Sequence, residues 1–240
     1  MDVKQDSTSI VLNTNEIEIQ EVEIKGSNGT VTKQPKITSN KDDETTTFGF
    51  EDTLKSGTKA QLSLKFTGIL NDNLAGFYRS TYKNKAGETK YMATTQMEPT
   101  DARRAFPCFD EPALKAKFTV TLIADKGLTC LSNMDVKSET EVDSTMSGSK
   151  KQSVTFNTTP LMSTYLLAFI VGELNVIESK NFRVPVRVFA PPDSDIEHGH
   201  FSVELAARTL KFYEEKFDSA FPLPKMDMVA IPDFSAGAME

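Results

Sequence analysis

The chain has 240 residues, enough for one large domain or for one and a half smaller ones. Its composition, 38% hydrophobic and 25% charged, is typical of a soluble globular protein. The net charge of -7 argues against nucleic acid and against an anionic membrane surface as partners. The apolar run at residues 165–171 is too short to span a membrane, so we expect no membrane partner either.

The two cysteines, Cys108 and Cys130, are too few for a disulfide framework. A reducing compartment is the simpler interpretation, although a single bridge between them stays open. The first ten residues lack the apolar stretch of a secretory signal. Two triplets of the glycosylation type, which begin at Asn28 and Asn157, are therefore interpreted as turns. We expect a cytoplasmic protein.

Alternation of apolar and polar residues predicts a series of short strands over most of the chain. Residues 17–19 and 22–24 alternate in opposite phases, so we expect a bulge or bend near Gln20 and Glu21. The predicted strands cover residues 9–14, 17–24, 59–70, 74–82, 88–96, 118–122, 154–156, 165–171, 184–188 and 226–231. Polar, turn-rich residues predict loops at 26–29, 39–47 and 138–152. The last loop is expected to be an exposed hairpin loop with little to bury, which is compatible with disorder.

One long helix is predicted, at about residues 198–217, from apolar residues at helical spacing. Asp193, Ser194 and Asp195 are candidates for its N-cap. Many short strands and a single helix predict a mainly β protein, built as an antiparallel sandwich or as an open, curved pair of sheets.

A shaped loop that carries a site is predicted at residues 94–112, TTQMEPTDARRAFPCFDEP, because this stretch has no lasting helix or strand period. Gln96 and Glu98 are two apart, so on an extended backbone they point to the same side. An amide oxygen and a carboxylate can together accept hydrogen bonds from an ammonium group. The alternative is a solvated strand face, which the spacing alone favours. Met97 is core filler or lines a pocket beside a bound side chain.

The four charged residues of the same loop, Arg103, Arg104, Asp110 and Glu111, allow two interpretations. They either steer charged substrates or form buried ion pairs that fix the loop. We favour the second, because aromatic and proline neighbours indicate partial burial, and buried charges need partners. Cys108 in this setting is interpreted as a small packed thiol.

A catalytic zinc ion needs three protein ligands and an open position. The only histidines are His198 and His200, which stand two apart at the start of the predicted helix and do not share a face. We therefore interpret them as solvent-facing residues, and we expect this chain to bind no catalytic zinc.

Residues 94–112 and the final stretch 232–240, PDFSAGAME, resemble the zinc aminopeptidase family that includes aminopeptidase N and puromycin-sensitive aminopeptidase. The similarity is greatest to the fungal alanine/arginine aminopeptidases. The last four residues match the start of the family's G-A-M-E-N motif, and the asparagine would be residue 241. These four are Gly237, Ala238, Met239 and Glu240.

The resemblance implies roles for these residues. Gln96, Glu98 and Glu240 would bind the free α-amine of a peptide substrate. Gly237 and Ala238 would let the substrate backbone lie alongside as an added strand. The alternative for the last stretch is a chain end that happens to be small and apolar.

The resemblance also implies a domain organisation. An N-terminal β-domain would comprise residues 1–174, and the start of a thermolysin-like α/β catalytic domain would comprise residues 175–240. The family's chains have strands that precede Met1 and a catalytic segment beyond Glu240. We therefore expect the N-terminal portion of an enzyme that uses zinc held elsewhere and that contributes recognition of the peptide N-terminus. The second hypothesis is a non-catalytic β-rich binding or scaffold module.

Overall fold

The computed structural model describes residues 1–26, 29, 31–143, 150–235 and 237. Within these residues the protein is mainly β, with antiparallel sheets and one long helix near the end, as predicted. No helix in this described part is both long and apolar enough to cross a membrane.

Two three-stranded antiparallel sheets form the first part of the chain. One has the strand order β1-β5-β4 and the other the order β3-β2-β6. Their strands are β1 (Ser7–Asn13), β2 (Ile17–Gly26), β3 (Val31–Lys33), β4 (Lys36–Asn40), β5 (Thr45–Leu54) and β6 (Ala60–Gly68). Both sheets contribute to one hydrophobic core, in which Phe48 of β5 and Ile24 of β2 are almost fully buried.

The bulge in β2 is confirmed, because the register of β2 against β6 shifts between Ile19 and Glu21. The prediction of a loop at residues 39–47 is mostly wrong. Strand β4 continues to Asn40 and β5 begins at Thr45, so that only a short turn remains between them. Alternate residues of β5 are buried in its first half. The sequence did not show this alternation, because the strand opens with three threonines rather than with alternating apolar and polar residues.

A second pair of sheets follows. The four-stranded sheet has the order β10-β13-β8-β7, and the three-stranded sheet has the order β11-β12-β9. The strands are β7 (Gly76–Lys83), β8 (Thr89–Gln96), β9 (Thr121–Asp125), β10 (Thr129–Ser132), β11 (Val136–Val142), β12 (Lys151–Phe156) and β13 (Phe169–Gly172). They share a core that includes Phe156, Leu167 and Cys130.

Two predictions for this part need correction. The stretch predicted as an exposed loop at 138–152 contains most of β11 and the start of β12, and residues 144–149 lie outside the described part. The buried strand predicted at 165–171 begins only at Phe169. Before it, the amide of Leu167 donates to the carbonyl of Thr164 at 3.1 Å and closes a turn of 3₁₀ helix.

The last part combines a small sheet with the helix. Strand β14 (Asn175–Ser179) is antiparallel to β15 (Val186–Ala190), and β15 is parallel to β16 (Met226–Val229). Helix α1 (Gly199–Phe217) buries Val203 and Ala207 against this sheet. The predicted domain boundary near residue 174 falls just before β14, and it stays a prediction.

The start of α1 differs from the predicted N-cap. A 3₁₀ helix, Ile196–His198, comes between, so that His198 occupies the N-cap position without a side-chain capping bond. Asp195 precedes the 3₁₀ helix and makes no side-chain capping bond either. Gly199 permits a close approach to the sheet, because a Cβ there would lie 3.0 Å from side-chain atoms of Ile177 and Val188.

Helix α1 also has an apolar face that the described part of the chain leaves exposed. Phe201, Leu205 and Phe212 share this face, since their spacings of four and seven residues match the helical period. Phe201 is 75% exposed and Phe212 is 57% exposed. We define these three residues as the outer face of α1.

We predict that the 240-residue chain self-associates through the outer face of α1, because exposed contiguous apolar surface favours association. Replacing Phe201 and Phe212 together by glutamine should shift its sedimentation toward that of a monomer. The control is Leu161→Gln, at a residue that is 62% exposed but lies outside the helix. A monodisperse monomer at high concentration, before any substitution, would argue against this prediction.

Candidate functional site

Gln96 is the last residue of β8, in the four-stranded sheet. It is half-buried and stands opposite Gly76 of β7. By strand alternation its side chain shares a face of the sheet with Thr94 and with Tyr78, the cross-strand neighbour of Thr94. Gly76 has a positive φ of 71°, and a Cβ on it would lie 2.6 Å from the Cβ of Arg104. Glycine at position 76 therefore lets Arg104, in the loop after β8, lie close to the start of β7, opposite Gln96.

The chain turns immediately after β8. The amide of Asp101 donates to the carbonyl of Met97 at 2.8 Å, and the Glu98–Pro99 peptide bond is cis. Met97 is 1% exposed and belongs to the core, so it does not line an open pocket within the described part. Glu98 is half-buried, and no described residue forms an ion pair or hydrogen bond with its carboxylate. Its acceptors are thus not used by the described part of the chain.

Buried ion pairs hold this loop, which confirms the structural interpretation of Arg103 and Asp110. The Asp110 carboxylate is 1% exposed and accepts from Arg103 Nε at 3.0 Å, from the Arg103 amide at 3.2 Å and from Thr164 Oγ1 at 2.9 Å. Arg103 Nη1 also donates to Glu44 at 3.0 Å. Burial alone would lower the pKa of Arg103, but the hydrogen bonds and charges of Asp110 and Glu44 outweigh it and raise the pKa.

Arg104 makes a second set of contacts, nearer the surface. Its Nε donates to Asp101 at 2.8 Å and its Nη1 donates to Glu16 at 3.0 Å. The expectation that Glu111 joins the buried ion pairs is wrong. Glu111 is exposed, and its carboxylate forms no ion pair with any described residue. The loop is therefore held by its arginines and by Asp110.

The thiol of Cys108 is a packed group, as predicted. Its backbone pairs with Asn13 through two hydrogen bonds of 2.8 and 3.2 Å. Burial, reinforced by the charge of Asp110, raises the pKa of Cys108 to about 12. A thiol with such a pKa is not a nucleophile near neutral pH. Cys130 is also buried, and both cysteines are free thiols without a bridge between them.

Asp233, in the segment after β16, is hydrogen-bonded to β7, which belongs to the same sheet as Gln96. The Tyr78 hydroxyl donates to the carbonyl of Asp233 at 2.8 Å, and the Asp233 amide donates to Ser80 Oγ at 3.0 Å. The Asp233 carboxylate accepts from the Thr81 amide at 2.8 Å. Burial and the charge of Asp233 raise the pKa of Tyr78 to about 12, so its hydroxyl stays a donor.

The structure therefore brings Asp233, in the final stretch of the chain, to the face of the four-stranded sheet that carries Tyr78 and Gln96. Gly237 is exposed, with open space where a Cβ would stand. Ala238, Met239 and Glu240 lie outside the described residues. Their positions relative to Gln96 and Glu98 stay predictions.

The two histidines are solvent-facing, as interpreted. The His198 side chain is 86% exposed and lies 3.6 Å from Asp195, and His200 lies 3.2 Å from Glu197. Among the residues that the structure describes, no group of three or more metal-ligating side chains occurs. The expectation about zinc in this chain stays a prediction.

Sequence reasoning missed the contacts of Tyr78, Ser80 and Asp233. Ser80 and Tyr78 are fully buried, and each is more than 150 positions away from Asp233 in the sequence. The alternation of β7 places the side chains of Tyr78 and Ser80 on one face of the sheet, but it does not indicate which residue they contact.

Comparison with known proteins agrees with the resemblance of the two motifs. The sequence profile of the peptidase M1 N-terminal domain matches residues 1–166, and that of the peptidase family M1 domain matches residues 201–240. The chain belongs to the peptidase M1 family.

Its relatives include aminopeptidases from fungi and animals. Aminopeptidase 2, mitochondrial, of Saccharomyces cerevisiae is 56% identical over 97% of this chain and 23% of the relative. The alanine/arginine aminopeptidase of the same yeast is 53% identical over 97% of this chain and 26% of the relative. The puromycin-sensitive aminopeptidase of Caenorhabditis elegans is 51% identical over 76% of this chain and 19% of the relative. This chain spans about a quarter of the length of the two yeast relatives.

Proposed function

We propose that this chain is the amine-recognition portion of a zinc-dependent aminopeptidase, which releases amino acids from the N-termini of peptides. The observation that carries the proposal is the fastening of Asp233 to Tyr78, Ser80 and Thr81. These hydrogen bonds attach Asp233, four residues before Gly237, to the four-stranded sheet, in which strand β8 ends at Gln96. The names of the relatives, all aminopeptidases, support the same activity.

The chemistry of the proposed site matches a peptide N-terminus. A free α-ammonium group carries one positive charge and three donors. The amide oxygen of Gln96 and the carboxylates of Glu98 and Glu240 would supply acceptors and compensating negative charge. Gly237 and Ala238 would leave room for the substrate backbone beside them.

The zinc of such an enzyme does not fit the residues that the structure describes. His198 and His200 are exposed, and their nearest acids, Asp195 and Glu197, form two separate pairs rather than one three-ligand site. The chain's proposed contribution is therefore to bind and orient the substrate amine, and the metal would be held by other residues of the full-length protein.

Peptides bound through a free N-terminus are the proposed partners, and neither nucleic acid nor a membrane is proposed as one. We also propose a cytoplasmic location, which the two free thiols support. Fractionation of cells that express the tagged full-length protein would distinguish the cytoplasm from the compartment in the name of the mitochondrial yeast relative.

The activity is tested on the full-length protein that carries this chain. We expect it to hydrolyse an alanyl-chromophore substrate, to contain stoichiometric zinc, and to lose its activity to a chelator. The matched control is the 240-residue chain alone, which should show neither turnover nor stoichiometric zinc. A full-length protein without turnover would instead support the hypothesis of a non-catalytic β-rich binding or scaffold module.

A further inference from the structure

The segment from Lys225 to Asp233 is held at both edges of the four-stranded sheet. Lys225 contacts Ser132 of β10, which forms one edge. Asp233 contacts Ser80 and Thr81 of β7, which forms the other edge. Strand β8, with Gln96 at its end, lies between these edges.

Lys225 is a buried cation with fixed partners. It is 7% exposed, and its ammonium group donates to the carbonyl of Ser132 at 2.7 Å and to the carboxylate of Asp227. Asp227 is itself held by Arg187 through two hydrogen bonds of 2.7 and 3.0 Å. Burial lowers the pKa of Lys225, although Asp227 acts in the opposite direction.

Burying an ammonium group is costly unless its hydrogen bonds and charge are matched. An apolar side chain at position 225 would fill the same space between β10 and β16 without that cost. The ammonium adds a directional contact, because its donor must meet the Ser132 carbonyl. That contact fixes the start of β16 against the edge of the sheet.

From these contacts we propose that Lys225 is a positioning residue for the amine site. Together with the contacts of Asp233, it fixes the course of residues 226–232 across the sheet and so the direction in which the chain leads to Gly237. The inference rests on the proposed function, because it concerns the same amine site. Displaced acceptors would make longer or bent hydrogen bonds to the substrate ammonium, and such hydrogen bonds are weaker.

The test replaces Lys225 by methionine in the full-length protein, which keeps an unbranched side chain one atom shorter and removes the charge. We expect the KM for an alanyl-chromophore substrate to rise about three- to tenfold while kcat per folded enzyme stays within about twofold, because weaker ground-state binding appears in KM. A merely structural role would lower the folded fraction, and hence the apparent kcat, without changing KM.

A second variant, Tyr78→Phe, weakens the attachment at the other edge by removing one of the three hydrogen bonds that hold Asp233. It should raise KM in the same direction even if Lys225→Met fails to fold. The matched controls are Lys180→Met, at an exposed lysine, and Tyr91→Phe, at a tyrosine of β8 that is 53% exposed. Both controls should keep the KM of the unmodified protein.

Glu98→Ala, measured in parallel, separates this inference from the proposed function. If Glu98→Ala raises KM but Lys225→Met and Tyr78→Phe keep that of the unmodified protein, the positioning role is wrong and the amine site stands. If Glu98→Ala itself has no effect on KM or kcat, the amine site is wrong and the positioning role is overturned with it.

Discussion

Replacing Asp110 by alanine should lower the free energy of unfolding by about 3 to 5 kcal/mol, the usual effect of breaking a buried ion pair on one side. The Asp110 carboxylate is 1% exposed and accepts hydrogen bonds from Arg103 and Thr164. Without it, Glu44 is the one charged partner that the described residues leave to Arg103, whose side chain is 13% exposed in the unmodified protein. The loop after β8 would thereby lose its main attachment.

Urea unfolding of the 240-residue chain, at a concentration low enough to limit association, measures this effect. Asp110→Asn should have a smaller effect, because the amide oxygen can still accept one of the hydrogen bonds. The matched control is Asp72→Ala, which breaks the surface pair between Arg79 and Asp72 and should change stability far less. Equal effects of Asp110→Ala and Asp72→Ala would show that the buried network does not hold the loop.

The second large effect concerns catalysis by the full-length protein. Replacing Glu98 or Glu240 by alanine should lower kcat/KM by roughly one to two powers of ten each, since a hydrogen bond to a charged partner contributes about 1.5 to 3 kcal/mol. The two acids are proposed to share one ammonium group. The double replacement should therefore be non-additive.

Steady-state kinetics of the two single variants and the double variant form a complete cycle. Glu111→Ala is the matched control, because Glu111 is an exposed acid of the same loop without an ion pair in the described part. Strict additivity of the effects of Glu98→Ala and Glu240→Ala would mean that the acids act on separate groups.

The predictable part of the fold was the part with a clear local pattern. Strict alternation predicted β6, opposite phases predicted the bulge after Ile19, and helical spacing predicted α1. Strands β4 and β5 were missed because polar, turn-forming residues fill the first and threonines open the second. Strand β11 was missed because its residues are mostly exposed, so no apolar face marks it.

The candidate site divides in the same way. The burial of Arg103 with Asp110 was predictable, since charged residues among aromatics and prolines need nearby partners. The bond from Lys225 to Ser132 and that from Tyr78 to Asp233 were not predictable. These hydrogen bonds join residues that are 93 and 155 positions apart. In each of them the acceptor is a backbone carbonyl, which every residue has, so the sequence does not indicate the partner.

The central claim is that Gln96, Glu98 and Glu240 recognise the free amine of a peptide, and it is tested most directly by comparing one peptide with its N-acetylated form. The measurement is kcat/KM for both peptides, on the full-length protein and on its Glu98→Ala variant. We predict that the unmodified protein strongly prefers the free peptide, because acetylation removes the charge and the donors and adds bulk. Glu98→Ala should lower this preference by roughly one to two powers of ten, because it affects the free peptide alone. Equal cleavage of both peptides by the unmodified protein, or an undiminished preference in the Glu98→Ala variant, would contradict the claim.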